Sequence, residues 1–340
     1  MKVTINKIAE LAGVSRGVVD KVIHGRPGVR PQVRERVMRV IRQTGYVPPR
    51  VSLEPVCRTV AVIMPRTTDS YFAALKEALD RLCRAHADLA LRYFFCESTD
   101  IDSQLAALDH PADAWLIRGV RSERLRERLN RLDRPIFFLD AEVPGISPVC
   151  TFGENYYQSG RIAASLLAKC MNYRGKAAVM AGSPEITSHC LRLEGFLDFL
   201  RERCPGIEVV DRLFSQDQSV VAYSQACRTL DQFPDLEGFC NLAGYAGEVG
   251  QAILQRQRTI KMVCYDSTAD VAALIEKGIV EFSISLVLSH QARSIIDTLH
   301  AYLLHGVAPT ADYIETPVTV LFDESLRGLL PEGRTKQETP

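Results

Sequence analysis

Eleven Lys and Arg stand among the first 50 residues against three Asp and Glu, a local excess of +8. The chain has 41 basic and 41 acidic residues over 340 positions, so 30 and 38 remain after residue 50 and the body carries −8. A basic head on an acidic body has the chemistry to meet a polyanion, or else it is a solvated basic surface; charge alone does not choose. Catalytic chemistry finds little to use. There is no phosphate-binding GxxxxGK[ST] and no zinc-binding HExxH. The seven His are scattered, and His189, three residues before Arg192, reads as a polar contact more readily than as a base. The ten Cys never come closer than 13 positions, so no CxxC pair exists to build a zinc site. Many lie in apolar runs, such as Cys150 in SPVCTF and Cys264 in KMVCYD, and are expected to be buried thiols of a reducing compartment. No metal, cofactor or enzymatic activity is expected.

The elements that must position the basic head are three short helices. Ile5, Ile8, Ala9 and Ala12 follow the i, i+3, i+4, i+7 pattern of a helix over 5–12. Gly13 suits the tight turn after it, and Ser15 suits the N-cap of a helix over 16–24 with Val18, Val19, Val22 and Ile23 facing inward. Pro31 suits the first turn of a third helix to about Thr44, with Val33, Val37, Val40 and Ile41 buried. Two helices joined by such a turn, followed by a third, make a helix-turn-helix. The stretch from Tyr46 to Arg58 holds Pro48, Pro49 and Pro55 and reads as extended linker.

From Thr59 onward, apolar runs alternate with amphipathic stretches. Strands are expected at 59–64, 89–95, 114–117, 136–139, 177–181, 207–210, 238–242, 260–265, 280–284 and 318–322, with helices between them. Such alternation gives parallel sheets flanked by helices, and ten strands are better shared between two α/β lobes than crowded into one sheet. The polar tail at 331–340 is expected to be disordered. No run approaches the ~18 apolar residues of a membrane span. The N-terminus lacks a long apolar signal region, so a cytoplasmic location is expected.

The segment KIAELAGVSRGVVDKVIHGRPGVRPQVRERVMRVIRQTGYVPP resembles the DNA-binding headpiece of the lactose-repressor (LacI/GalR) family. The resemblance lies in the turn AGVS, the valine-rich second helix, the VRERV third helix and the closing GYVP. It implies that the second helix enters the major groove of an operator. Ser15, Arg16 and Gly17 then open the reading helix, with Arg16 as the base reader through paired bonds to guanine. Lys21 matches a usual Arg and would hold phosphate. Asp20 replaces a usual Ser and would repel phosphate unless it accepts from a cytosine amine. His24, Arg26 and Arg30 flank the turn as backbone contacts, and Arg30 stands where the family favours a Ser cap. In the linker the family has a short helix whose Leu wedges into the minor groove. Here Arg50, Val51, Leu53 and Pro55 occupy that region. Either Leu53 or Val51 supplies a wedge, or Pro55 interrupts the helix and the linker is a plain tether.

Residues 59–330 are similar to the type I periplasmic-binding-protein fold that this family uses to bind effectors. The implied architecture is a lobe 1 of about 59–153 and 285–312 and a lobe 2 of about 154–284 and 313–330, with ligand between them. The implied cleft residues are Asp69, Tyr71 and Phe72 after the first strand, Asp140, Asn155, Arg192, Asn241 and Asp266. Carboxylates accepting from hydroxyls, an Arg donating, and aromatic faces packing on a ring suit a sugar or related polyol. Leu242, Leu286 and Ser70 depart from the pattern of common sugar binders. The chain is thus expected to be a dimeric, ligand-responsive DNA-binding regulator, a repressor on a near-palindromic operator. The alternative is a cytosolic or secreted small-molecule binding protein without sequence-specific DNA binding.

Overall fold

The structure, a computed structural model, describes residues 4–23, 29–44, 57–65, 70–97 and 100–326. The chain forms two compact units, Met1–Val56 and Cys57–Pro340. His24, Arg26, Arg50, Val51, Leu53, Pro55, Asp69 and the 331–340 tail lie outside the described residues.

The first unit contains α1 (Ile5–Ala12), α2 (Arg16–Ile23) and α3 (Pro31–Thr44). Thr4 caps α1 by accepting from the Lys7 N–H, and Gly13 ends it at φ +62°, a left-handed position where glycine carries no Cβ penalty. Ile8, Ala9, Ala12, Val19, Val22 and Val37 form the small core, joined by Ile5, Val14, Ile23, Val29, Val40 and Ile41. Val18 and Val33, both expected to face inward, are half-buried outside this cluster, and Val14 and Val29 from the turns take their place.

The second unit begins with β1 (Arg58–Met64), α4 (Ser70–Cys83), β2 (Leu89–Phe95), α5 (Ile101–Ala107), β3 (Ala114–Ile117), α6 (Glu123–Leu129), β4 (Ile136–Leu139) and β5 (Cys150–Gly153). It continues with α7 (Tyr156–Cys170), β6 (Gly175–Ala181), α8 (Thr187–Arg203), β7 (Ile207–Phe214), α9 (Ser219–Gln232), β8 (Leu236–Asn241), α10 (Ala246–Gln255), β9 (Lys261–Tyr265), α11 (Ala269–Glu276) and β10 (Val280–Leu286). It closes with α12 (Leu288–His305), β11 (Tyr313–Glu315), β12 (Val318–Leu321) and α13 (Asp323–Leu326). Two six-stranded sheets result, ordered β11-β5-β4-β3-β1-β2 and β12-β10-β9-β8-β6-β7. All pairings are parallel except β10 with β12.

Strand alternation explains why both faces of each sheet are apolar. In β1, Val60, Val62 and Met64 face α4 and α12, while Ala61 and Ile63 face the opposite cluster with Leu108 and Leu125. In β6, Ala178 and Met180 face one cluster and Ala177 and Val179 the other.

The chain crosses between lobes after β5, after β10 and after β11. The expected third crossing at 313 is corrected: β11 pairs with β5 in register Tyr313↔Thr151, so it belongs to lobe 1 and the crossing lies between Glu315 and Val318. Strands β5 and β11 are absent from those expected: β5, CTFG, is not an uninterrupted apolar run like AWLI or IFFL, and β11 has only three residues. Cys57 is exposed, and Cys170, Cys190 and Cys227 are half-buried, so burial of the thiols is partial. No helix among the described residues is long and apolar enough to cross a membrane.

Candidate functional site

In the headpiece, the Ser15 carbonyl accepts the Val18 and Val19 N–H groups at 3.0 and 3.2 Å, which places Ser15 at the start of α2. Ser15, Arg16, Gly17 and Lys21 are exposed and Asp20 is half-buried. A Cβ on Gly17 would meet nothing within 4 Å, so a duplex could approach the backbone there. Arg30 is exposed, and its carbonyl accepts from Val33 and Arg34 at 3.0 Å each, doing the main-chain part of the absent Ser cap. Gly13 to Gly17 also spells GxSxG. The stretch joins two helices, whereas a nucleophile elbow needs a strand before its turn.

In the second unit, polar groups converge where the strands of both lobes end. Asp140 follows β4 and Asp266 follows β9, and the two repeat one geometry. Each adopts a left-handed backbone, φ 61° and 77°, and each donates its N–H to the neighbouring strand at 2.8 Å, to Phe152 and Ile284. Non-glycine residues held in this region cost roughly 1–3 kcal/mol and gather at functional sites. Asp140 Oδ1 accepts from the Tyr156 hydroxyl at 3.2 Å and the Gln291 amide at 3.5 Å. The Tyr71 hydroxyl lies 3.1 Å from that same oxygen and 2.9 Å from Gln291 Oε1, its single proton serving one at a time. Burial pushes the Asp140 carboxyl above the usual carboxylate range, against the pull of Arg118 and Arg192.

Arg192 donates from Nε to Glu154 Oε1 at 2.7 Å and from Nη1 to the Leu242 carbonyl at 3.0 Å. Its guanidinium lies 4.0 Å from the Tyr265 ring centroid and 5.3 Å from that of Tyr156. Burial opposes its charge, yet Glu154 beside it holds its pKa above the usual arginine value. Across the cleft Arg118, from lobe 1, reaches His189 at 3.2 Å and Asp217 at 3.7 Å on lobe 2, and sits over the Phe72 ring. Two more contacts tie the lobes: the Arg121 N–H donates to the Glu185 carbonyl at 2.8 Å, and Ile186 packs into a lobe 1 core cluster.

His189 is held neutral. The Ser183 N–H donates to Nδ1 at 2.9 Å, which leaves the ring's one proton on Nε2 beside the Arg118 guanidinium, so a second proton would have to displace the Ser183 bond next to a cation. Burial pushes its pKa from 6.5 down to about 4, against Asp217 and with Arg118 and Arg192. An unfolded chain therefore protonates near 6.5 and the folded one near 4. The contribution to stability is present above 6.5 and lost as pH falls through that window. The expected result is that wild type loses more stability between pH 7 and pH 4 than His189→Gln, read from urea midpoints. Equal losses would assign the acid response to other groups.

The cavity lined by Tyr71, Phe72, Arg118, Asp140, Arg192 and Asp266, among others, measures about 50 Å³, room for one or two waters. A shallower depression of about 370 Å³ adjoins it, sharing Asp140 and Tyr156 and adding Glu142, Asn155 and Tyr313. A further depression, about 670 Å³ along α8 and β7, is lined by lobe 2 alone, chiefly by apolar side chains such as Leu193, Leu197 and Val209.

The structure brings Tyr71, Phe72, Asp140, Arg192 and Asp266 together around one cavity. It places two others differently. Asn155 is exposed and caps α7 by accepting the Gln158 N–H at 3.1 Å. Asn241 is fully buried beneath the cleft, donating to the Ala243 and Gly244 carbonyls. Sequence reasoning does not single out Arg118, Glu154, Tyr156, Asp217 or Gln291. Arg118 has a signal, a charged residue directly after the buried run AWLI. Gln291, in the first turn of α12, is fully buried, whereas its neighbour His290 is exposed.

A three-helix helix-turn-helix followed along the chain by two parallel-sheet lobes, with polar groups gathered between the lobes, defines a helix-turn-helix domain joined to a solute-binding fold. Residues 60–306, most of the chain, match the model of the periplasmic binding protein domain, and the chain belongs to that domain family; residues 4–49 match the model of the lacI family of bacterial regulatory proteins, so a lacI-type DNA-binding domain precedes it. The HTH-type transcriptional regulator GalS of Salmonella typhimurium is 26% identical over 207 residues, 59% of this chain and 60% of that protein. Catabolite control protein A of Priestia megaterium is 23% identical over 244 residues, 65% and 73% of the two. The HTH-type transcriptional regulator CelR of Thermobifida fusca is 42% identical over 73 residues, 21% and 22% of the two. The matched part of this chain thus spans less than two thirds of GalS and of CelR. Among solved structures, the glucose-galactose binding protein GanP of Geobacillus stearothermophilus superposes with TM-score 0.73 at 18% identity, over 79% of this chain and 99% of that one. A carbohydrate transporter solute binding protein of Agrobacterium radiobacter, in complex with D-arabinose, gives 0.73 at 19% identity, over 79% and 96%. These likenesses show the shared fold.

Proposed function

We propose that the chain is a ligand-responsive, sequence-specific DNA-binding transcription regulator, a repressor, acting in the cytoplasm as a homodimer on a near-palindromic operator. It senses a small polar effector, a sugar or related polyol, between its lobes. The observation that carries this reading is the presence in one chain of a helix-turn-helix with an exposed reading helix and of a cleft whose polar groups come from both lobes. A binding role suits the cleft. Its carboxylates and guanidinia accept and donate, Tyr71 and Phe72 offer aromatic faces, and Arg192 is held in place by Glu154. Effector binding changes how the lobes meet around Arg118, His189 and Asp217, and so the operator affinity. By linkage, operator binding changes effector affinity by the same factor.

The test is selection of bound sites from random duplex DNA by the purified full-length protein, alone and with a panel of sugars and polyols. A near-palindrome with half-sites about one helical turn apart, bound more weakly as salt rises, is the expected outcome. Recovery of no preferred sequence under any condition would sink the reading. On the selected site, Arg16→Ala is expected to relax preference at one base position per half-site, costing roughly 1–3 kcal/mol of discrimination. Uniform weakening across sequences would make Arg16 a phosphate contact instead.

A further inference from the structure

Three of the seven histidines gather at one corner of lobe 1, apart from the cleft residues. His86 and Asp88 lie in the turn between α4 and β2, and His300 and His305 lie in the last turns of α12. The His86 and His300 ring centroids are 4.2 Å apart, and those of His300 and His305 are 5.1 Å apart. Asp88 Oδ1 stands 3.1 Å from His300 Nε2. One donor atom each from His86, Asp88 and His300 lies within 4.8 Å of the others, the only grouping of its kind among the described residues. The turn that carries two of them is braced: the His86 N–H donates to the Cys83 carbonyl at 2.9 Å, and the Asp88 carbonyl accepts from the Arg58 N–H at 2.8 Å.

We propose that His86, Asp88 and His300 form a binding site for a divalent transition-metal ion of the zinc type. Two imidazoles and one carboxylate are a donor set for zinc, cobalt or nickel rather than for calcium or magnesium. Tetrahedral bonds of about 2.0–2.1 Å separate donor atoms by about 3.3 Å, close to the Asp88–His300 spacing already present. A hydrogen-bonded Asp–His pair alone would account for Asp88 and His300. It gives no reason for a second imidazole whose ring centroid lies 4.2 Å from the first at a 41° tilt. Three protein donors leave a fourth position open to water or to His305. A bound ion ties the α4–β2 turn to α12, the helix whose first turn supplies Gln291 to the cleft.

The experiment is titration of the full-length protein with Co²⁺, followed by visible absorption and by displacement with Zn²⁺. The expected result is one equivalent bound with ligand-field bands and no thiolate-to-metal charge-transfer band. His300→Ala and Asp88→Asn should each weaken binding at least tenfold, while His110→Ala, which alters a ring packed on Phe94, should not. If His300→Ala loses its native circular dichroism, His86→Gln in the turn supplies the same comparison. Absence of saturable binding, a charge-transfer band marking a cysteine ligand, or an affinity unchanged by both His300→Ala and Asp88→Asn would overturn the site.

Discussion

Arg192→Ala should lower the stability of the two-lobed unit by about 3–5 kcal/mol, the scale for breaking a buried ion pair from one side. Arg192 is 9% exposed and Glu154 1%. Removing the guanidinium leaves the Glu154 carboxylate in the interior with its charge uncompensated. Glu154 Oε2 has no other side-chain or main-chain donor to turn to. The Leu242 carbonyl also loses its donor, and the faces of Tyr265 and Tyr156 lose their cation. At roughly 2–4 °C per kcal/mol, the thermal midpoint should fall by about 6–20 °C. The urea midpoint should fall with little change in slope. The double variant Arg192→Met with Glu154→Gln should recover most of the loss, because no bare charge remains. A single-variant cost below about 1 kcal/mol would mean that Glu154 finds water or a proton, contrary to its burial.

Gly160→Ala and Gly195→Ala should each cost about 1–3 kcal/mol or more, although alanine is the better helix former by about 1 kcal/mol. The two glycines face each other's helices where α7 crosses α8. A Cβ on Gly160 would stand 2.0 Å from the Arg192 carbonyl oxygen, and one on Gly195 would stand 2.0 Å from that of Tyr157. Both obstacles are backbone, so neither can rotate away and the helices must separate. Gly160→Ala presses on the main chain of Arg192 itself, so it should weaken effector binding as well as stability. Gly195→Ala presses on Tyr157, whose neighbour Tyr156 donates to Asp140. Equilibrium unfolding and effector titration of the two variants check this. Unchanged stability in both would show that the helix crossing is looser than these contacts require.

Much of the cleft is legible in the order of residues along the chain. Asp140 and Asp266 follow buried apolar runs, and a carboxylate at the end of a parallel strand lies at the mouth of the sheet wherever the chain goes next. Arg192 and its nearby Gly195 are legible as a pattern within one helix. Asn155 and Asn241 carry the same kind of signal and do other work, because an amide close to a chain turn is also the best local partner for bare backbone groups. Arg118, Asp217 and Gln291 reach the cleft from three separate segments. Nothing in their local spacing says that they meet His189, each other's lobe or Tyr71.

The sequence by itself determined the helix-turn-helix, the alternation of strands and helices, the two lobes and the carboxylates at the strand ends. These follow from periodicity and from turn residues, which are local properties of the chain. Only the tertiary structure decided that β11 joins lobe 1, that Glu154 neutralises Arg192, that Arg118 bridges the lobes, and that His86 meets His300. Those outcomes depend on which distant segments are brought within about 3–5 Å, and short strands and side-chain pairings leave no period in the sequence from which to read them.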